Sequence, residues 1–296
     1  MLKLENVSKT FGNKKVVNNI SFNLDKPKIF GLLGTNGAGK STTIRMLLGI
    51  IKKDSGSITW NKKQVNRKSV NFGYLPEERG IYPKVKIIDQ LIYFAQLKGM
   101  DKESAIESIK YWANILKVEE YMNMKAEQLS KGNQQKIQFM ISVIHNPDLI
   151  VLDEPFSGLD PVNTEIFKKA INDLVKKGKY IIMSAHEMHT IEEFCTDILI
   201  LNKGNTVIQG NLKDIKNTYP ANKVIIETKE DISNYLSKYE IENEHDYIYT
   251  IKINNEQEGY EILSNLVKNN ILINKFEIMK PTLNDIFIEK VGGNNE

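Results

Sequence analysis

Cysteine is nearly missing from this chain of 296 residues: Cys195 is the only one. A lone cysteine closes no internal disulfide, so the core must hold the fold, and a buried thiol in a reducing compartment is expected. Long apolar runs are missing too. None approaches the roughly 20 residues that a membrane-spanning helix needs. The N-terminus, MLKLENVSKTFG, lacks the apolar centre of a signal peptide. The chain is therefore expected to be cytoplasmic, with any membrane role supplied by a partner. Histidine is scarce, and His145, His189 and His245 show no metal-ligand spacing, so they read as surface or helix positions. Arginine is absent from residues 215–296, which carry nine Lys against fourteen Asp plus Glu, a net −5. The remainder carries +8, compatible with a nucleotide site, with a surface facing anionic lipid, or with a plain solvated surface.

What is present suits a folded protein with ample core, one large domain and one small: 41% of residues are hydrophobic and 26% charged. Alternation through Leu2, Leu4 and then Val16 to Leu24 marks strands. KIFGLLG, LIVLDEP and KYIIMSAH are short apolar runs that read as buried strands. Helical spacing follows each of them, and residues 85–124 and those after Ser130 also read as helical. Apolar strands alternating with helices predict a mainly parallel sheet covered on both faces. DILILNKGNTVIQG predicts a hairpin turning at Lys203-Gly204-Asn205. Trp60 and Trp112 read as packing residues. Near Tyr219-Pro220 the texture changes. KVIIET, YIYTIKI and LINKFEIM then predict strands, and 256–268, 282–290 and 231–238 predict helices. The expected domains are therefore 1–218 and a small α+β domain, 219–296.

Residues 34–42 read GTNGAGKST, and Gly34, Gly39, Lys40 and Ser41 satisfy G-x-x-x-x-G-K-[ST]. Glycines allow backbone conformations closed to other residues and bring bare amides onto phosphate oxygens. The helix that follows adds the partial positive charge of its N-terminus. Lys40 can reach the β- and γ-phosphates, and Ser41 can ligate Mg²⁺. The alternative, a glycine-rich turn that matches by chance, does not account for the strand before and the helix after.

Asp153 and Glu154 follow four apolar residues, Leu149 to Leu152. A carboxylate at the C-terminal end of such a strand lies beside the phosphate loop of a parallel sheet. Asp153 is expected to hold Mg²⁺ through water, and Glu154 to act as general base on the attacking water. An ordinary acidic turn is the competing reading.

Further segments fall into order. LSKGNQQK begins at Leu129, with Ser130 lying 23 residues before Asp153; SGLD (157–160) follows DEP, and His186 ends the next apolar strand. This order resembles the ATPase subunits of ABC transporters over about residues 1–215. The resemblance implies a P-loop α/β fold with a mixed, mainly parallel sheet. It adds an antiparallel β subdomain and a helical insert at about 82–129. It makes Gly34, Thr35, Asn36, Gly37, Ala38, Gly39, Lys40, Ser41 and Thr42 the Walker A loop, and Asp153 and Glu154 the Walker B pair. Phe11 matches the aromatic that stacks on adenine, with Val16 its small apolar neighbour. Ser130 and Gly132 match the signature loop that grips ATP bound to the opposite subunit. Asp160 matches the loop that joins the two sites, and His186 the switch histidine at the γ-phosphate. The implied ligands are ATP and Mg²⁺. The implied partners are a second ATPase subunit, identical or a close paralogue, bound head to tail, and a transmembrane permease at the cytoplasmic face of the membrane.

The chain departs from the family pattern twice. LSGGQ is replaced by LSKGN, at Lys131 and Asn133, while Ser130 and Gly132 are kept. In GYLPEERG, Glu77 stands where Gln is usual, a residue that touches Mg²⁺ and the water and signals to the permease. YLPEERG, LSKGNQQK and the C-terminal PTLNDIFIEKVG are similar to a branch of sodium or drug export ATPases with a C-terminal accessory domain. Two alternatives compete with a transporter ATPase. A soluble ABC ATPase acting on ribosomes or nucleic acid usually has two cassettes or a long insertion, whereas only 90 residues separate Lys40 from Ser130 here, and no nucleic-acid partner is expected. A non-hydrolysing module is disfavoured because Lys40, Asp153, Glu154 and His186 are all present.

Overall fold

A computed structural model describes residues 1–65, 70–78, 80–185 and 188–292. The chain divides into two compact units, Met1–Gln209 and Gly210–Glu296. The division falls before the helix Leu212–Asn217, not between residues 218 and 219 where the composition changes.

In the first unit the strands are β1 (Leu2–Phe11), β2 (Lys14–Leu24), β3 (Ile29–Gly34), β4 (Ser55–Trp60), β5 (Lys63–Gln64), β6 (Phe72–Leu75), β7 (Leu149–Asp153), β8 (Tyr180–Ser184), β9 (Asp197–Asn202) and β10 (Asn205–Asn211), the last running across the division. The helices are α1 (Lys40–Leu47), α2 (Ile87–Leu97), α3 (Lys102–Leu116), α4 (Lys131–Val143), α5 (Pro161–Lys176) and α6 (Met188–Phe194). An antiparallel sheet runs β2-β1-β4-β5, and a six-stranded sheet runs β10-β9-β3-β8-β7-β6. Neighbours from β9 to β6 are parallel. β3 lies inside the sheet and is buried along its whole length, which its sequence IFGLLG permits because it has no polar side chain. β9 turns into β10 at Lys203 (φ 47°) and Gly204 (φ 81°), the pair of left-handed residues that a tight hairpin needs.

One apolar core joins the two sheets. Leu2, Leu4, Val17, Ile20 and Leu24 meet Leu32, Val151, Ile182 and Leu199 there. Phe22 stacks on Phe30 with ring centroids 4.7 Å apart. Trp60, 8% exposed, meets the Tyr180 ring edge-on. Each such large side chain contributes roughly 1.5–3 kcal/mol by leaving water.

The stretch 85–124 is not one helix. Gly99 (φ 88°) ends the turn after α2, and Asp101 caps α3 by accepting from the Ser104 amide at 2.8 Å. Lys117 in the left-handed region closes α3, and single 3₁₀ turns follow at Glu119–Tyr121 and Ala126–Gln128. Trp112, Phe139 and Phe167 form a chain of ring contacts through α3, α4 and α5.

In the second unit the strands are β11 (Lys223–Thr228), β12 (Ile241–His245), β13 (Ile248–Lys252) and β14 (Ile273–Met279). The helices are α7 (Leu212–Asn217), α8 (Glu256–Lys268) and α9 (Leu283–Gly292). The sheet order is β12-β13-β11-β14, antiparallel throughout. Val224, Ile226, Tyr249 and Ile251 pack with Ile262 and Leu266 of α8 into a separate core. β12 escapes the sequence pattern because it is an edge strand, IENEH, mostly exposed. The helix expected at 231–238 is only a 3₁₀ turn, Ser233–Tyr235.

Candidate nucleotide site

The phosphate loop leaves β3 and enters α1, as the glycine pattern requires. Gly34 has φ 145°, and a Cβ there would lie 2.2 Å from the Leu201 carbonyl oxygen. Gly39 has φ 105°, and a Cβ there would lie 2.6 Å from the Val16 carbonyl. Neither position tolerates a side chain without moving backbone. Gly39 is also the N-cap of α1 and places no side chain over the first turn. The amides at that end are thus left for a ligand.

Lys40 is 7% exposed and donates to the carbonyls of Gly34 (2.7 Å) and Thr35 (3.3 Å). Burial pulls its ammonium below the usual lysine range, and the charges of Glu154, Asp153 and Glu77 pull it back. Those three carboxylates, Val16 and residues Asn36 to Thr42 line one cleft of about 350 Å³.

Asp153 ends β7, is 5% exposed and accepts a short hydrogen bond from the Ser184 hydroxyl of β8. Tyr74 of β6 flanks it. Burial, the Asp153 charge and a hydrogen bond to Asp153 push the Tyr74 hydroxyl up to about 12, so it stays protonated. Glu154 sits in the left-handed region at φ 52°, rare for a residue with a side chain. Its amide donates to the Ser184 carbonyl at 3.2 Å. A strained carboxylate between a buried strand and a turn is a usual mark of a functional position.

Ser130 is the exposed N-cap of α4, its hydroxyl accepting from the Asn133 amide at 3.3 Å. Asp160 is the exposed N-cap of α5 and accepts from the Asn163 amide at 2.9 Å. Gly132 is packed near Gly158, Leu159 and Asn163. Ser130, Gly132 and Asp160 form no part of the Lys40 cleft. Phe11 lies at the end of β1, 47% exposed, with the Lys9 ammonium 5.3 Å from its ring centroid. His186 lies outside the described residues. Glu77 lines the cleft from an exposed loop after β6.

Triphosphate and Mg²⁺ suit this arrangement. A Cβ on Gly37 would meet nothing within 4 Å, so the loop faces open space at its centre. No three acidic, histidine or cysteine side chains form a metal cage among the described residues. Protein sites hold Mg²⁺ through one or two carboxylates plus phosphate oxygens and water, and Asp153 and Glu77 both line this cleft.

Comparison with known proteins decides the family. A model described as ABC transporter matches residues 17–157, and one described as ATP-binding protein DrrA1-3-like, C-terminal domain, matches residues 210–291. The Bacillus subtilis ABC transporter ATP-binding protein YhaQ is 45% identical over 295 residues, 99% of each chain. The chain belongs to the ABC transporter ATP-binding proteins. It is thus an ATPase, and ATP is its nucleotide. The linearmycin resistance ATP-binding protein LnrL of Bacillus subtilis is 33% identical over 73% of this chain and 70% of its own. A solved ATP-binding subunit of an ABC transporter shares the fold at a TM-score of 0.69 and 27% identity, covering 74% of this chain and 92% of its own. A dimeric bacterial ABC transporter cassette shares the fold alone, at 21% identity and a TM-score of 0.66 over 72% of this chain and 99% of its own.

Within this ABC ATPase the sequence pattern missed Tyr74, Ser184, Gln135 and Gln138. Tyr74 and Ser184 were visible only as members of strands adjacent to β7. Gln135 (α4) donates to the Pro155 carbonyl at 3.2 Å and Gln138 to the Pro76 and Glu78 carbonyls, both at 3.0 Å. In KGNQQKIQFMISV, where Lys136 and Ser142 are buried as well, neither glutamine stands out from the polar residues around it. His145, read as a surface or helix position, lies just after α4 and is 8% exposed.

Proposed function

We propose that this chain hydrolyses ATP to drive a membrane exporter, working as one of two ATPase subunits closed head to tail. The observation that carries the hydrolytic reading is the convergence of Lys40, Asp153, Glu154 and Glu77 on the phosphate-loop cleft. Mg²⁺, when bound, neutralises phosphate charge. Ser41 and Asp153 would hold it, and Tyr74 and Ser184 would fix the Asp153 carboxylate by donating to it. Lys40 would leave its loop carbonyls for phosphate oxygens, and the loop amides from Gly37 to Thr42 would hold the remainder. Glu154 would accept the proton of the attacking water, with Glu77 and His186 completing the site. Phe11 and Val16 would take the adenine.

Ser130, Gly132 and Asp160 support the pairing. They lie at helix starts outside the cleft, two of them exposed, where a second subunit's nucleotide can reach them. Closing two chains would place each signature loop on the other's phosphates, so loss of the γ-phosphate would release the pair. The permease reading rests on the helical insert. Tyr82, and Tyr93 and Leu97 of α2, are exposed, Tyr82 stacks on Phe94, and Gln90 braces Tyr82 and Val85 through their backbone. No helix among the described residues is long and apolar enough to cross a membrane, so a separate permease would place the chain at the cytoplasmic face. Export as the direction rests on relatives named for resistance and export. Besides LnrL, a Burkholderia lata Nod factor export ATP-binding protein is 31% identical over 71% of this chain. The second unit, similar to a DrrA-type C-terminal domain, would be an accessory to the dimer.

Glu154→Gln tests the chemistry: it should retain ATP, lower kcat about 10³-fold and run as a dimer in MgATP. Undiminished turnover would remove Glu154 as the base. The partner is tested by purifying the tagged chain from detergent-solubilised membranes. A co-purifying multi-span protein is expected; ribosomal or DNA-bound partners, with the chain absent from membranes, would overturn the transporter reading.

A further inference from the structure

The helix α4 begins at the signature loop and carries two buried amides, Gln135 and Gln138, each 3% exposed. Three residues apart on a helix, they share a face. Both donate to loop backbone, and the two loops are those that bring acidic groups to the cleft. Gln135 holds the Pro155 carbonyl, immediately after Glu154, at 3.2 Å. Gln138 Nε2 donates to the carbonyls of Pro76 and Glu78, each at 3.0 Å, and so straddles Glu77.

The orientation of the Gln138 amide is fixed by its partners. Both are carbonyls, which only accept, so the NH₂ group must face them. Its Oε1 is then buried and meets no donor among the described residues. A buried acceptor without a donor is destabilising, and an apolar side chain of the same shape would avoid that penalty while leaving the carbonyls of Pro76 and Glu78, residues half-buried and exposed, to water. Stability therefore does not account for an amide at this position. Position does: the side chain of Glu77 is exposed on a short loop, and a two-point clamp on either side of it limits where its carboxylate can go.

We propose that Gln138 is a positioning residue for hydrolysis, its amide fixing the backbone around Glu77 so that the carboxylate enters the phosphate cleft. The inference rests on the proposed role of Glu77. It also gives α4 a mechanical meaning. The helix whose first residues would meet the partner subunit's nucleotide holds, through Gln138 and Gln135, the loops of both Glu77 and Glu154 in its own subunit.

A double-mutant cycle on the full chain tests this, with Gln138→Met made in the wild type and in Glu77→Ala. Methionine keeps the length and removes both donors. In the wild type, Gln138→Met should lower kcat about tenfold while the ATP dissociation constant stays within about twofold. In Glu77→Ala, itself lowered about tenfold, the same change should cost less than about twofold, because the residue acts through Glu77. An equal loss in both backgrounds, or no loss in the wild type, overturns the proposal. Wild-type turnover in Glu77→Ala alone would strike the reading of the site, and is seen before Gln138 is touched. Gln138→Glu is the second variant, of the same shape and needing no repacking. Ionised, it repels both carbonyls; protonated, it can donate to one. Its kcat relative to wild type should rise about threefold or more between about pH 8 and pH 6. A flat ratio argues for a merely structural residue and overturns the proposal.

Discussion

Lys40 and His145 are buried to nearly the same extent, 7% and 8% exposed, yet their neighbours have opposite signs. Burial lowers the proton affinity of both. At Lys40 the charges of Glu154, Asp153 and Glu77 resist that loss and favour the cation. At His145 burial pushes the imidazole down to about 4, and the ammonium groups of Lys98 and Lys179 add to it. The Phe72 carbonyl, 3.1 Å from Nε2, fixes the neutral tautomer with its proton on Nε2. A buried base alone does not mark a site, since structural burial perturbs ionisation as strongly as function does. The sign of the surrounding charge separates the two. Acidic groups around a buried cation, beside open glycine backbone, describe a place for phosphate and metal, whereas basic groups around a neutral ring describe packing.

The strongest way to break this comparison is Lys40→Ala. If Lys40 serves the ligand, kcat/KM for ATP should fall about 10³-fold or more, equivalent to about 4 kcal/mol, and nucleotide affinity should fall with it. Thermal stability without nucleotide should fall far less, because losing the buried stem and the two loop hydrogen bonds is partly offset by removing a desolvated ammonium. Steady-state turnover, nucleotide titration and melting check these together. Unchanged affinity, or a melting loss as large as the activity loss, would make Lys40 a structural residue like His145.

The two residues also differ in how legible they were. Lys40 lies in a local pattern in which β3, Gly34, Gly39 and α1 are contiguous, so strand, turn and helix dictate one another. Asp153 and Glu154 were readable for the same reason, at the end of an apolar run. His145 read only as a surface or helix position. Its hydrogen-bond partner is the Phe72 carbonyl, 73 residues away, and no local spacing reports that contact. Tyr74, Ser184 and Gln138 were hidden likewise, because their partners arrive through sheet order and helix packing. The outlines of the second unit followed from apolar runs, except for β12, whose polar edge sequence carries no alternation, and for 231–238, where the expected helix is a single 3₁₀ turn.

Ser130 stands between the two cases, and Ser130→Ala sharpens the comparison. Its hydroxyl already has a structural task, accepting from the Asn133 amide at 3.3 Å to cap α4. Losing that cap should lower stability by about 1 kcal/mol. If the hydroxyl also meets the partner subunit's nucleotide, turnover should fall about 100-fold, and ATP binding to a dilute single subunit should not change. A turnover loss no larger than the stability loss can explain would leave Ser130 as a cap alone.

The smallest effect belongs to His145, and it is one of stability. Its folded value, about 4, lies below the ordinary 6.5 of an exposed imidazole. The unfolded chain therefore binds a proton that the folded chain refuses. The contribution is fully present above about pH 6.5 and is lost as the pH falls toward about 4. Between about pH 7.5 and pH 5 this linkage amounts to about 2 kcal/mol at most. His145→Gln keeps a donor for the Phe72 carbonyl and removes the titration. Urea midpoints at the two pH values should fall less in the variant than in the wild type, with ATP turnover at pH 7.5 equal in both. Equal pH dependence would mean that the imidazole is protonated in place despite Lys98 and Lys179. The contrast with Lys40 would then rest on geometry and not on charge.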